Sequence, residues 1–482
     1  MVGRYVCTLV LPLFVAILGC QNYYIDLTPD GGDADVGETN PLVSPPLCGN
    51  GALDPGEECD DGNRLDDDSC TWSCREGPGS GPGPVDPAAR RLVPAGDPVV
   101  LPAPAQPPLA PGVGGGQALM PFVSSGELHV GSWPRSPFGA DATSSLTTRF
   151  LHADGSLARD DVVLSLMSGW TVWSLTNVAR GSDVLLLWRA GSDGILGARM
   201  SADLGLLDAP ALVVIASEAD LPAAAATGDG YVVAWHEGPA GNPCVHDNTE
   251  PNHINLGRLG PDGLADGMPE PVVLEDQDGA WTAPHLAAGD DSSVGLLWWR
   301  ASREASGGCT LRLGIADADL ATVRDGGTVA PGWAGRIVFG GGAYRVAWLN
   351  VNGVQPQMGF VALDRNAVLL DAPVVHDLAV EMFVGEFELA AGENELVAVV
   401  GGYTAAAGQH LLFVVTDLLG RMVASAASVD PTCESATTRC YPGPFNIVRS
   451  GDEFLVFYFA TVNPFDPRPT TEMRMVRLVP GS

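Results

Sequence analysis

A Gly- or Asp-centred turn followed by a strand of bulky apolar residues returns along most of this chain: GSDVLLLW (181–188), GDGYVVAW (228–235), GDDSSVGLLWW (289–299), GGGAYRVAW (340–348), GENELVAVV (392–400) and GDEFLVFY (451–458). The Gly-Asp, Asn-Gly and Asp-Gly pairs between runs supply the backbone conformations that tight hairpins need, so each copy reads as a turn feeding a β-strand. No stretch after residue 92 carries the apolar period of an amphipathic helix. A unit that recurs in this way buries its apolar surface by stacking on copies of itself.

After each such strand comes another, then an Asp- or Gly-rich turn and a final apolar strand, as in GRLGPDGLADGMPEPVVL (257–274) and ALDRNAVLLDAPVV (362–375). The unit is four strands, A to D, with a period of roughly 45 to 65 residues, which is the size of a β-propeller blade. With a more divergent copy at 117–167, the expectation is an all-β propeller of about seven four-stranded blades over 92–482, with six or eight the neighbouring counts. The last repeat stops at its third strand, MRMVRLVPGS, whereas AGDPVVL (95–101) resembles the fourth strands DAPALVV and PEPVVL. Residues 95–101 are therefore expected to complete the last blade and remove the free edge of an open ring, with 102–116 a Pro/Gly-rich spacer.

Propeller topology sorts the loops. B–C and D–A connections share one face, and A–B and C–D turns share the other. Long insertions are expected in the B–C connections at 124–145, 238–253 and 460–471 and in the D–A connection at 431–444, which makes that face the candidate binding surface. His246, Asp247 and His253 on it are the candidate contacts. Cys244 and Cys309, in B–C loops of neighbouring units, and Cys433 with Cys440 are expected to form disulfides. Cys244, His246, His253 and Cys309 also have ligand types that suit zinc, but their spacing is loose for such a site.

At the N-terminus Arg4 precedes an apolar run, 5–18, too short to span a bilayer comfortably, as in a signal peptide. Its end, Ile17-Leu18-Gly19-Cys20, resembles the lipobox of bacterial lipoproteins. The resemblance implies removal of 1–19 and acylation of Cys20, palmitate among the chains. Each buried methylene contributes about 0.8 kcal/mol, so several chains anchor stably. Gln21 stands where an Asp would signal inner-membrane retention, which points to the outer membrane, on its periplasmic or cell-surface side.

Residues 20–47 form an acidic tether, 48–76 a cysteine module and 77–91 a Gly/Pro-rich linker. The module, CGNGALDPGEECDDGNRLDDDSCTWSC, resembles the Myxococcus cysteine-rich repeat: GEECDDGN (56–63) is intact, and Ser69 replaces the Gly of its Asp-Gly-Cys. That family decorates exported proteins without implying one activity. A piece so small lacks an adequate core, so Cys48, Cys59, Cys70 and Cys74 are expected to pair, in any of three connectivities. Asp60, Asp61, Asn63, Asp66, Asp67 and Asp68 offer hard oxygen ligands suited to calcium, or else cap tight turns; apart from such calcium no cofactor is expected.

A formal net charge of −33, with Arg the only basic residue beside His, sets the chain against nucleic acid as a partner. No nucleophile elbow, HExxH, phosphate-binding Gly loop or sialidase-type Asp box is present. His236-Glu237 is a candidate for acid–base work. Trp188, Trp235, Trp298 and Trp348 recur at one repeat position, as core residues do. The expected function is a membrane-anchored extracytoplasmic binding or scaffold protein that meets a protein or glycan. The alternative, a polysaccharide- or peptide-degrading enzyme, needs carboxylates such as Asp229, Glu237 or Asp290 converging about 5–9.5 Å apart.

Overall fold

The computed structural model describes residues 92–102, 121–125, 127–135, 145–165 and most of 172–480. The signal sequence, Cys20, the tether and the cysteine module with its calcium candidates lie outside the described residues, as do the loops 238–252, 430–440 and 463–469.

Among the described residues every regular element is a strand. Two short strands come first, β1 (Leu92–Pro94) and β2 (Val99–Val100). The first blade is β3 (Phe122–Ser125), β4 (Leu128–Arg135), β5 (Ser145–His152) and β6 (Val162–Ser165). The second is β7 (Val172–Arg180), β8 (Asp183–Ala190), β9 (Ile195–Ser201) and an outer strand in two pieces, β10 (Gly205–Leu206) and β11 (Ala211–Val214). The third is β12 (Ala219–Thr227), β13 (Gly230–Glu237), β14 (His253–Leu259) and β15 (Val272–Glu275). The fourth is β16 (Ala280–Ala288), β17 (Ser293–Ala301), β18 (Cys309–Asp317) and β19 (Val323–Pro331). The fifth is β20 (Ala334–Gly340), β21 (Ala343–Asn350), β22 (Gln357–Leu363) and β23 (Val374–Asp377). The sixth is β24 (Met382–Ala391), β25 (Glu395–Thr404), β26 (Gly408–Asp417) and β27 (Met422–Ser428). The seventh takes β28 (Tyr441–Ser450), β29 (Glu453–Val462) and β30 (Thr470–Pro480) from the C-terminus, and β1 and β2 pair with β30 as its outer strand.

Each sheet is an antiparallel meander, and the first strands touch in a circle, β3 to β7, β12, β16, β20, β24, β28 and back to β3. The molecule is a closed seven-bladed β-propeller.

Burial explains why the strands read as unbroken apolar runs. An interior blade is covered on both faces by its neighbours, so its middle strands lose the in–out alternation of a half-solvated sheet. β13 and β21 are buried at every position but the last. Seven apolar clusters result, one at each seam between neighbouring blades. The inner strand β12, ADLPAAAAT, is built mostly of small residues, which suits the close approach of blades near the axis. The four repeated tryptophans are buried, each in the seam with the preceding blade.

One of these tryptophans dictates its neighbour. Trp348 pairs with Gly359 on β22, and a Cβ placed on Gly359 would lie 2.1 Å from the indole Cζ2. Gly359→Ala is expected to destabilise the fold by about 1–3 kcal/mol through overpacking, read as a lower urea midpoint at unchanged slope.

Ring closure is written in register. Leu92 pairs with Pro480, Val99 with Met475 and Val100 with Arg474, and the Leu101 N–H donates to the Met473 carbonyl at 2.9 Å. Leu101 then packs into the seam between the seventh and first blades. Arg149 of β5 clamps the same place. It is 1 % exposed, donates to Asp161 at 2.8 and 2.9 Å and to the Pro102 carbonyl at 2.6 Å, and lies 5.7 Å from the Trp133 ring centroid.

Two expectations from the repeat are corrected. The first B–C connection is not 124–145: residues Leu128–Arg135 form β4, and the connection is confined to 136–144. Serines and Pro134 disguised a strand whose register with β5 is regular from Leu128 to Arg135. Cys309 is not in a loop but opens β18, paired with Ala301.

Candidate functional site at the mouth of the central channel

In five of the seven blades the inner strand slips out of register with the second strand near its beginning. The slips fall between Val172 and Leu175, Asp220 and Ala223, Trp281 and His285, Phe383 and Phe387, and Pro442 and Phe445. Pro222, Pro284 and Pro444 sit inside them, at positions that have no ladder donor to give. Leu221 takes a left-handed backbone, φ 52°. Bulges of this kind re-aim side chains and cluster beside functional sites. Inner strands begin at the D–A connections, so the bulges ring the channel mouth on the face that carries the B–C and D–A loops.

Two polar groups line the channel here, one within this ring and one about three ladder positions deeper, toward the A–B turns. The first joins the second and third blades. Asp220 Oδ1 accepts from the Ser174 hydroxyl at 3.1 Å and from the Leu221 N–H at 2.7 Å, and Oδ2 accepts from Arg189. His236 lies directly across the ladder from Asp220. Burial drives the His236 pKa down to about 4, opposed by the Asp220 charge, so the imidazole is neutral at pH 7.

The second group spans three blades. Arg336 of β20 donates to both oxygens of Glu388 on β24, at 2.9 and 3.3 Å, and its Nη1 donates to His285 Nε2 on β16 at 3.0 Å. Its guanidinium carbon lies 5.6 Å from the Phe387 ring centroid. Because one guanidinium touches the inner strand on either side of its own, it must project to the axial side of β20. Burial, and then the Arg336 charge, hold the His285 pKa well below 6.5. His285 is therefore neutral and accepts at Nε2, which leaves the proton on Nδ1. Below the mouth the channel thus holds a fixed guanidinium, a carboxylate and a neutral imidazole, a set suited to hydrogen bonding of a polar ligand.

Sequence reasoning named His236 but passed over Asp220, His285, Arg336 and Glu388, although for the last three the repeat carried a signal. The position four before the hairpin Gly, otherwise Ala224 or Ile447, is Asn177, His285, Arg336 and Glu388 in other copies. Asn177 also straps a seam, donating to the Ser132 hydroxyl and the Pro121 carbonyl at 3.0 Å each.

Apart from His236, opposite Asp220, the described residues proposed from sequence fall elsewhere. Asp229 sits in the A–B turn paired with Arg258 at 2.6 Å, which lowers its pKa, whereas Glu237 ends the same strand, β13, and accepts from Asn255 at 2.9 Å. Eight residues at about 3.3 Å each put the two carboxylates some 26 Å apart along the strand, so they form no catalytic pair. His253 opens β14 opposite Glu237 and Glu275. Cys244, His246, Asp247, Asp290, Cys433 and Cys440 lie outside the described residues. Among the described residues no three His, Cys, Asp or Glu side chains gather as metal ligands.

No protein-family model and no curated protein matches the chain. Solved structures similar to it include a protein of unknown function from Dyadobacter fermentans, 12% identical, with a TM-score of 0.42 over 64% of this chain and 94% of that one. Parainfluenza Virus 5 hemagglutinin-neuraminidase is 7% identical, with a TM-score of 0.40 over 82% of this chain and 96% of its own. Trypanosoma rangeli sialidase is 10% identical, with a TM-score of 0.38 over 75% of this chain and 55% of the sialidase. None of these likenesses transfers a residue role, and the architecture stated above rests on the strand pairing itself.

Proposed function

We propose that this protein is an extracytoplasmic lipoprotein, anchored through Cys20, that binds a protein or glycan at the B–C/D–A face of its propeller. The observation that carries the reading is that the ring of bulges at the channel mouth, with Asp220 in it, opens onto the hydrogen-bonding groups of His285, Arg336 and Glu388 about three ladder positions deeper in the same channel. Loops on that rigid rim would supply the remaining contacts. The tether, the Myxococcus-type cysteine module and the Pro-rich segments would hold this rim away from the lipid.

Two measurements test the reading. Metabolic labelling with an alkyne fatty acid should mark the wild-type chain and fail on Cys20→Ser. Capture of envelope glycans and proteins by the mature chain should fall at least tenfold with Arg336→Gln, and should be unchanged with Asp229→Asn on the opposite face. Equal loss in both variants, or none in either, sinks the proposed rim.

A further inference from the structure

The path of the closing strand shows on which side the tether joins the propeller. β30 starts at Thr470, next to the B–C loop, and runs toward Pro480 on the side of the A–B and C–D turns. Leu92 pairs with Pro480, whereas Val100 pairs with Arg474 and Leu101 bonds Met473. The chain from the N-terminus therefore arrives on the side opposite the loop-bearing rim and climbs along β30 toward it. At the top of that climb the Pro102 carbonyl is held by Arg149 of the neighbouring blade.

We propose that residues 92–102 are a shear-loaded clasp, which transmits tension between an N-terminal anchor and a partner held on the B–C/D–A face. The direction follows from the register alone, and its use in the cell rests on the anchored binding role above. A pull on residue 92 against the rim loads the clasp along its length. Every pair from Leu92–Pro480 to Leu101–Met473 then resists together, and the Arg149–Pro102 bond closes the far end across the seam. Pulled from the Pro480 end, the same pairs would instead unzip in succession. The geometry thus makes the propeller resist the pull that a tethered binding protein meets, although the strand that closes its ring is short.

The test is single-molecule force spectroscopy on the full chain with a handle at its N-terminus. The second handle is placed either after the C-terminus or at β30's other end, through Thr470→p-azidophenylalanine. The first rupture is expected at several-fold higher force with the Thr470 handle than with the C-terminal one. Arg149→Lys, which keeps the charge but loses the fork, should lower the Thr470 force and leave the C-terminal force unchanged. Equal forces for the two handles in the wild-type chain overturn the clasp, whatever the behaviour of the variant. Anchoring itself is read separately by the labelling of Cys20, so failure of one leaves the other standing.

Discussion

Arg149→Met is expected to lower the stability of the propeller by about 3–5 kcal/mol, the usual cost of removing one partner from a buried ion pair. Asp161, 4 % exposed, would keep a carboxylate without its two guanidinium donors, and the Pro102 carbonyl would lose its own. Both groups sit at the seam where the ring closes, so the loss falls on the joint that holds the first and seventh blades. Urea unfolding should show a large drop in midpoint. The double variant Arg149→Met/Asp161→Leu should recover most of the drop, because the pair itself is worth little more than a well-packed apolar replacement. A single-variant change below about 1 kcal/mol would show that the clamp is dispensable.

Mild acid is the second large lever. Burial holds His129 and His236 down to about 4, and His285 well below its ordinary value. Each is neutral in the fold, whereas the unfolded chain protonates its histidines near 6.5. Their stabilising contribution is therefore complete above pH 6.5 and is lost as pH falls from there toward the folded values. At about 1.4 kcal/mol for each unit of pKa difference, His129 and His236 together account for on the order of 5 kcal/mol between pH 6.5 and 4. Denaturant unfolding at pH 7.5, 6 and 4.5 should show a steep decline. His129→Gln and His236→Gln should each flatten that slope even if they lower stability at pH 7.5. A slope unchanged in both variants would place the acid sensitivity elsewhere.

The two effects differ in how readable they are. Four-stranded units, hairpin turns and the propeller class are legible because a blade is a local meander whose register is set by turns of a few residues. β13 and β21 announce themselves through turn–strand words ending in Trp235 and Trp348. Where turn chemistry is muted, the reading slips. The Ser- and Pro-bearing run from Ser124 to Arg135 holds a strand that looks like a loop, and Cys309 belongs to β18. The candidate site was half legible. Arg336, His285 and Glu388 share one repeat position, yet no sequence rule says that three adjacent inner strands aim them at one another.

By itself, then, the sequence determined the all-β class, the hairpins that build each blade, and the apolar runs that demand burial on both faces. Only the tertiary structure decided which residues meet across the seams. Phe122 stacks on Phe457 at 4.1 Å between centroids, Arg149 reaches Pro102, and Arg336 straps three blades together. The physical reason is that backbone hydrogen bonds tie strands within a blade, where neighbours in space are neighbours in sequence, the closing strands β1 and β2 on β30 excepted. Between blades the contacts run through side chains, onto partner side chains or backbone carbonyls, and their partners are set by the closure of the ring.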